Sequence, residues 1–138
     1  CTVCRLDLHI YAQRMAEFAA KDCNLMVVLQ SDPNLVKEEA PLGTFPFEVA
    51  CDPSQAVYKK FDIEPAKSML ALIGGGLFKA LKKMKSAKAF GFEHGEYEGN
   101  EQQLPAMVLV DENGVVTFSH YAKNLVDMPG IDEMLAKL

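Results

Sequence analysis

Gln103-Leu104-Pro105-Ala106-Met107-Val108-Leu109-Val110-Asp111-Glu112-Asn113-Gly114 is the stretch whose reading decides the fold. A proline leads an unbroken apolar run, and the run closes on Asn-Gly, among the strongest short signals for a hairpin. Residues 107–110 and 115–119 are therefore expected as two strands joined through 112–114. Proline fits the head of a strand, where its missing N–H breaks no ladder.

At the other end of the chain stands Cys1-Thr2-Val3-Cys4-Arg5. Leu6, Ile10, Met15 and Phe18 follow near helical spacing, which predicts a helix over residues 2–21 with the cysteines at its start. Two cysteines so placed let one sulfur become a stabilised thiolate while the other closes a disulfide onto it. The same spacing is half of a zinc site, but no second C-x-x-C follows to complete a tetrahedral shell.

The 138 residues suit one domain, 1–138, and 49% hydrophobic with 24% charged content is ordinary for a globular chain with one core. No apolar run is long enough to span a bilayer, so stable membrane insertion is not expected. A net charge of −5 argues against general nucleic-acid binding. The chain opens on cysteine rather than methionine, so its natural beginning and any targeting segment are expected upstream. A cytoplasmic location is the working expectation. Lys79, Lys82, Lys83, Lys85 and Lys88 crowd one segment with no acid among them, beside a stripe of Leu77, Leu81 and Met84. That pattern fits a basic amphipathic helix for a membrane surface or an acidic partner, or, more commonly, a solvated helix face.

Between the ends, residues 24–30 read as a buried parallel strand. Asp32-Pro33 reads as a helix start with a body over 35–40, closed by Pro41, Gly43 and Pro46. A second strand is expected over 47–51, and Asp52-Pro53-Ser54 opens a helix running to Phe61. Residues 62–103 exceed a compact βαβ count and read as an insertion, with Gly74-Gly75-Gly76 a hinge rather than a phosphate loop. A last helix over 130–138 places Ile131, Met134, Leu135 and Leu138 inward.

Three pieces of this sequence, Cys1-Thr2-Val3-Cys4-Arg5, Asp52-Pro53-Ser54 through Tyr58-Lys59-Lys60-Phe61, and Pro105 through Gly114, resemble the alkyl hydroperoxide reductase/thiol-specific antioxidant (peroxiredoxin-like) redoxins of the thioredoxin superfamily. The likeness covers residues 1–61 and 104–138. It implies an α/β, thioredoxin-like fold: a mixed central sheet flanked by helices, with an inserted helical segment before a strand led by a cis-proline at Pro105. It also implies a strand ahead of the dithiol, lying between the runs 24–30 and 107–110, which residues upstream of Cys1 or another chain must supply.

The same resemblance implies a thiol-disulfide oxidoreductase. Cys1 would be the attacking sulfur, Cys4 the resolving one, Arg5 an aid to the thiolate, and Pro105 the shaper of the substrate cleft. The substrate class is a protein or small-molecule disulfide or thiol, with no cofactor and no metal. A peroxidase alternative reverses the roles, with Cys4 attacking peroxide and Cys1 resolving. Against it, Pro105 occupies the place where such peroxidases carry an arginine, and no arginine follows Arg14. A third alternative is a non-enzymatic interaction module using the lysine-rich helix. Cys51 could serve as a third thiol at a strand end, Cys23 should be remote, and both are more commonly buried hydrophobes. His9 could touch the cysteines, although a surface position is commoner, and His120 has no evident catalytic reach. Residues 101–104 are expected to border the dithiol and select substrate.

Overall fold

The computed structural model describes residues 1–39, 45–96 and 98–138. The first helix is split. α1 (Thr2–Gln13) ends at Arg14, whose φ of −114° and ψ of 15° leave the helical region, and α2 (Met15–Ala19) resumes beyond it. The expected single helix over 2–21 is thus interrupted at Arg14, where the guanidinium makes two side-chain contacts. It bonds Glu17 and, at 2.7 Å, Asp132 on the far side of the chain.

β1 (Met26–Leu29) pairs in parallel with β2 (Glu48–Cys51), Met26 opposite Glu48 and Leu29 opposite Cys51. α3 (Pro33–Glu39) lies between them with Pro33 at its first position, where the absent N–H is no loss. The expected helix end at Ala40, Pro41 and Gly43 lies outside the described residues. α4 (Ala56–Lys60) follows β2. Its exposed N–H groups are satisfied by Asp52, whose carboxylate accepts from Ala56 at 2.9 Å and Val57 at 2.8 Å.

Residues 62–103 contain α5 (Met69–Ile73), a 3-10 turn over Gly74–Gly76, and α6 (Leu77–Ala89). The triglycine is tightly placed: a Cβ on Gly76 would stand 2.6 Å from Val126, and Gly74 has a φ of +52° beside Asn124. It is a packed corner rather than an open hinge. β3 (Ala106–Val110) and β4 (Val116–Tyr121) form the expected antiparallel hairpin, Ala106 opposite Tyr121. α7 (Ile131–Leu135) closes the chain with Ile131, Met134 and Leu135 buried. Leu138, expected inward, lies past the helix and is exposed.

A core of Phe18, Ile131, Met134 and Leu135, with Ile10, Tyr11, Met15 and Met107 against it, joins α1, α2, α7 and β3. Two expectations are corrected. The described strands form two separate two-stranded sheets, β1-β2 and β3-β4, in place of one mixed central sheet. Parallel and antiparallel ladders are both present, but no described strand bridges β1 and β3. The Leu104–Pro105 bond is also trans, as is every peptide among the described residues. The trans form is the intrinsically preferred one even for X-Pro. The Pro105 carbonyl accepts from the Ala122 N–H at 3.1 Å.

Candidate functional site

Cys1 and Cys4 are joined in a disulfide, with Cα atoms 5.3 Å apart. Cys1 caps α1: its sulfur accepts the Cys4 N–H at 3.4 Å and its carbonyl accepts the Arg5 N–H at 3.1 Å. Both cysteines are exposed, while Thr2, Val3 and Leu6 are buried and anchor this turn. The sulfurs sit where unsatisfied helix amides and the helix dipole favour negative charge. Once the bond is reduced, a Cys1 thiolate would keep the Cys4 N–H as a donor. Arg5 is half-buried one residue further along.

Arg14, the chain's other arginine, is at the far end of α1, about 20 Å along the axis at the helical rise. Its bonds to Glu17 and Asp132 make it a structural clasp. The guanidinium hydrogen bond draws the Glu17 carboxyl below its ordinary range.

The remaining thiols are kept neutral. Burial raises the Cys23 thiol, which packs against the Phe18 core. Burial, reinforced by the Asp32 and Glu98 carboxylates and opposed by Lys37, raises Cys51 at the end of β2. His9 meets aromatic rings just past the end of α6. Its ring packs on Phe90 and Phe92 at 5.0 and 5.5 Å between centroids and bonds the Gln13 side chain. His120 is tied to the Asp127 carbonyl at 2.6 Å.

Residues 100–104 are fixed at the outgoing ends of β1 and β2 by a knot of side-chain amides. Gln30 exchanges bonds with the Asn100 backbone, Gln55 donates to Gln30 at 2.8 Å and to Gln103 at 3.2 Å, and Gln103 donates to the Ile63 carbonyl at 3.0 Å. Gln103 also bridges Pro65. Pro105 stands at the head of β3.

The part of residues 62–103 that packs on the cysteine helix is α6. Lys83 Nζ donates to both carboxylate oxygens of Asp7 at 2.7 and 2.8 Å, and Ala87 is completely buried. Sequence reading missed this pairing. The acid-free lysine run marked α6, but nothing local singles out one lysine for a carboxylate 76 positions away.

The disulfide-bearing α1 packs through the Phe18 core with helix and strand elements. The chain belongs to the family described as AhpC/TSA antioxidant enzyme, whose match covers residues 9–124. The matched span includes Pro105 and runs through 62–103, and it begins beyond Cys1, Cys4 and Arg5. No curated protein and no solved structure gave a match. No helix among the described residues is long and apolar enough to cross a membrane.

Proposed function

We propose that the chain is a thiol-disulfide oxidoreductase in which Cys1 and Cys4 cycle between dithiol and disulfide. The observation that carries the reading is the Cys1–Cys4 disulfide at the exposed start of α1, with the Cys4 N–H directed at the Cys1 sulfur. Reduced Cys1, as thiolate, attacks one sulfur of a protein or small-molecule disulfide. A mixed disulfide forms and the first substrate sulfur leaves as a thiolate. Cys4, deprotonated, then attacks the Cys1 sulfur, closing the internal disulfide and releasing the second substrate thiolate. Two electrons pass to the substrate, and the two released thiolates take up protons. A small-molecule or protein dithiol reverses the sequence and recharges the pair. Arg5 adds positive charge beside the developing thiolate, and Pro105 borders the cleft that receives the substrate.

The family's description as an antioxidant enzyme favours one second reading, peroxidase chemistry at Cys4. There the Cys4 thiolate attacks a peroxide oxygen, the O–O bond breaks with release of water or alcohol, and the sulfenic acid condenses with the Cys1 thiol, losing water. Arg14 cannot polarise the peroxide, being held by Glu17 and Asp132. Turnover by this route is therefore expected to be slow.

Insulin-disulfide reduction driven by dithiothreitol tests the first reading, comparing wild type with the Cys1→Ser, Cys4→Ser double variant. Acceleration by the wild type alone is expected, and equal rates for the two proteins would overturn it. A Cys4→Ser variant should also trap the substrate as a stable mixed disulfide on Cys1. Stopped-flow consumption of hydrogen peroxide that is fast in wild type and lost in Cys4→Ser would transfer the assignment to the peroxidase.

A further inference from the structure

α6 is turned with its apolar stripe outward. The residues it buries against the rest of the chain are small or charged: Ala87 is completely inaccessible, Ala80 and Ser86 are half-buried, and Lys83 is bonded to Asp7. Leu77, Leu81 and Met84, spaced i, i+4, i+7, are exposed, and Phe78 beside them is 86% exposed. On α5, Leu70 is 82% exposed and Met69 is also open. Ordinary surface helices show the reverse arrangement, and large side chains this open and this close together mark an interaction surface.

The charge around the stripe identifies what it meets. Residues 65–92 carry six lysines and no aspartate or glutamate, in a chain whose net charge is −5. Among the described residues Lys83 alone of the α6 lysines is in an ion pair. Lys79, Lys82, Lys85 and Lys88 remain to flank and extend the stripe, their long stems able to lie along apolar surface while the ammonium groups stay in a polar layer.

We infer that the α5–α6 face docks on the surface of an anionic lipid bilayer, Leu70, Phe78, Leu77, Leu81 and Met84 entering the boundary of headgroups and acyl chains while the lysines meet lipid phosphates. A bilayer offers apolar depth and negative charge along the whole face without requiring a register, which suits a convex helix whose apolar and basic side chains interleave. A second copy fits poorly, since segment 65–92 would set lysines against lysines. The docking is peripheral. Because α6 packs on α1 and is pinned to it through Asp7, it would carry the dithiol helix to within about one interhelical spacing, roughly 8–10 Å, of the membrane-facing helix.

The test is flotation of the purified 138-residue protein with phosphatidylcholine vesicles and with phosphatidylcholine–phosphatidylglycerol vesicles, at low and high salt. Binding only to the anionic vesicles, weakened by salt, is expected. Lys82→Glu with Lys85→Glu should lower the partition about tenfold or more. Phe78→Ser with Leu81→Ser should lower it on the same vesicles while leaving the circular dichroism melt unchanged, since these side chains make no core. Equal binding to neutral vesicles, binding indifferent to both pairs of changes, or no binding would overturn the inference. So would a dimer in light scattering that the Phe78→Ser, Leu81→Ser change dissolves.

Discussion

Cysteine chemistry in this chain is sorted by position. Cys1 and Cys4 lie on an exposed helix start, whereas Cys23 and Cys51 are held neutral, first by burial and at Cys51 also by the Asp32 and Glu98 carboxylates. After full reduction, Cys1 is expected to alkylate first at neutral pH, and Cys23 and Cys51 well behind both helix-start thiols. Iodoacetamide labelling read by peptide mass checks the order, and first labelling at Cys4 would favour the peroxidase roles. Asp52 supplies a second residue-scale prediction. Burial favours its neutral acid, but the amides of Val57 and Ala56 and the Ser54 hydroxyl outweigh burial and hold the carboxyl below its ordinary value. A folded value below the unfolded one, near 3.9, means that the stabilisation is complete above that unfolded value and fades as pH falls through the folded one. Asp52→Ala should therefore melt a few degrees lower at pH 7. Its melting temperature should also fall less steeply than wild type's on acidification below about pH 4. Parallel curves for the two proteins would remove Asp52 from that role. The cysteine pair and the Asp52 helix start were both legible in the sequence because each acts within a few positions. The Arg14 break was not: no local pattern marks it, and one of the contacts Arg14 makes there is to Asp132, 118 positions away.

Elements adopted their expected types where a local pattern carried them, and moved where a distant contact decided. The Asn-Gly hairpin and the parallel pair β1–β2 follow directly from turn chemistry and apolar runs. For α6 the helix itself was readable, but the 3.6-residue period says only that one side is apolar, not which side faces the protein. The Asp7–Lys83 pair and the packing of Ala87 settle that orientation, turning the apolar stripe outward. Both partners of this pair are about three-quarters covered, with 23% and 30% of their side chains exposed. The pair should therefore contribute on the order of 1 kcal/mol, at the upper end for ion pairs near a surface. Asp7→Asn and Lys83→Met are each expected to lower the melting temperature by about 2–4 °C for a domain near this size, and the double change by less than the sum of the two. Strict additivity in that cycle would show that the contact does not hold α6 to α1.

At the scale of the whole molecule, the described strands are organised as two pairs that share no ladder. Among the described residues each pair has an open edge, and isolated two-stranded units are marginal in water unless packing covers a face. Here the core of Phe18, Ile131, Met134 and Leu135 reaches the β3 side through Met107, while among the described residues β1 is joined to its surroundings by β2, by the Tyr58 hydroxyl on the Val28 carbonyl, and by the Gln30 amide knot. The two pairs should therefore be unequally protected. Backbone amides of the β3–β4 ladder are expected to exchange slowly and together, those of β1–β2 faster, and those on the outer edges of β1 and β3 fastest of all. Open ladder edges also invite pairing with other chains, so the protein should self-associate with rising concentration. Hydrogen exchange and sedimentation check the two expectations. If the protein stays monomeric and shows uniform, slow exchange across β1 and β3, those edges are already satisfied and the two-pair organisation of the strands fails.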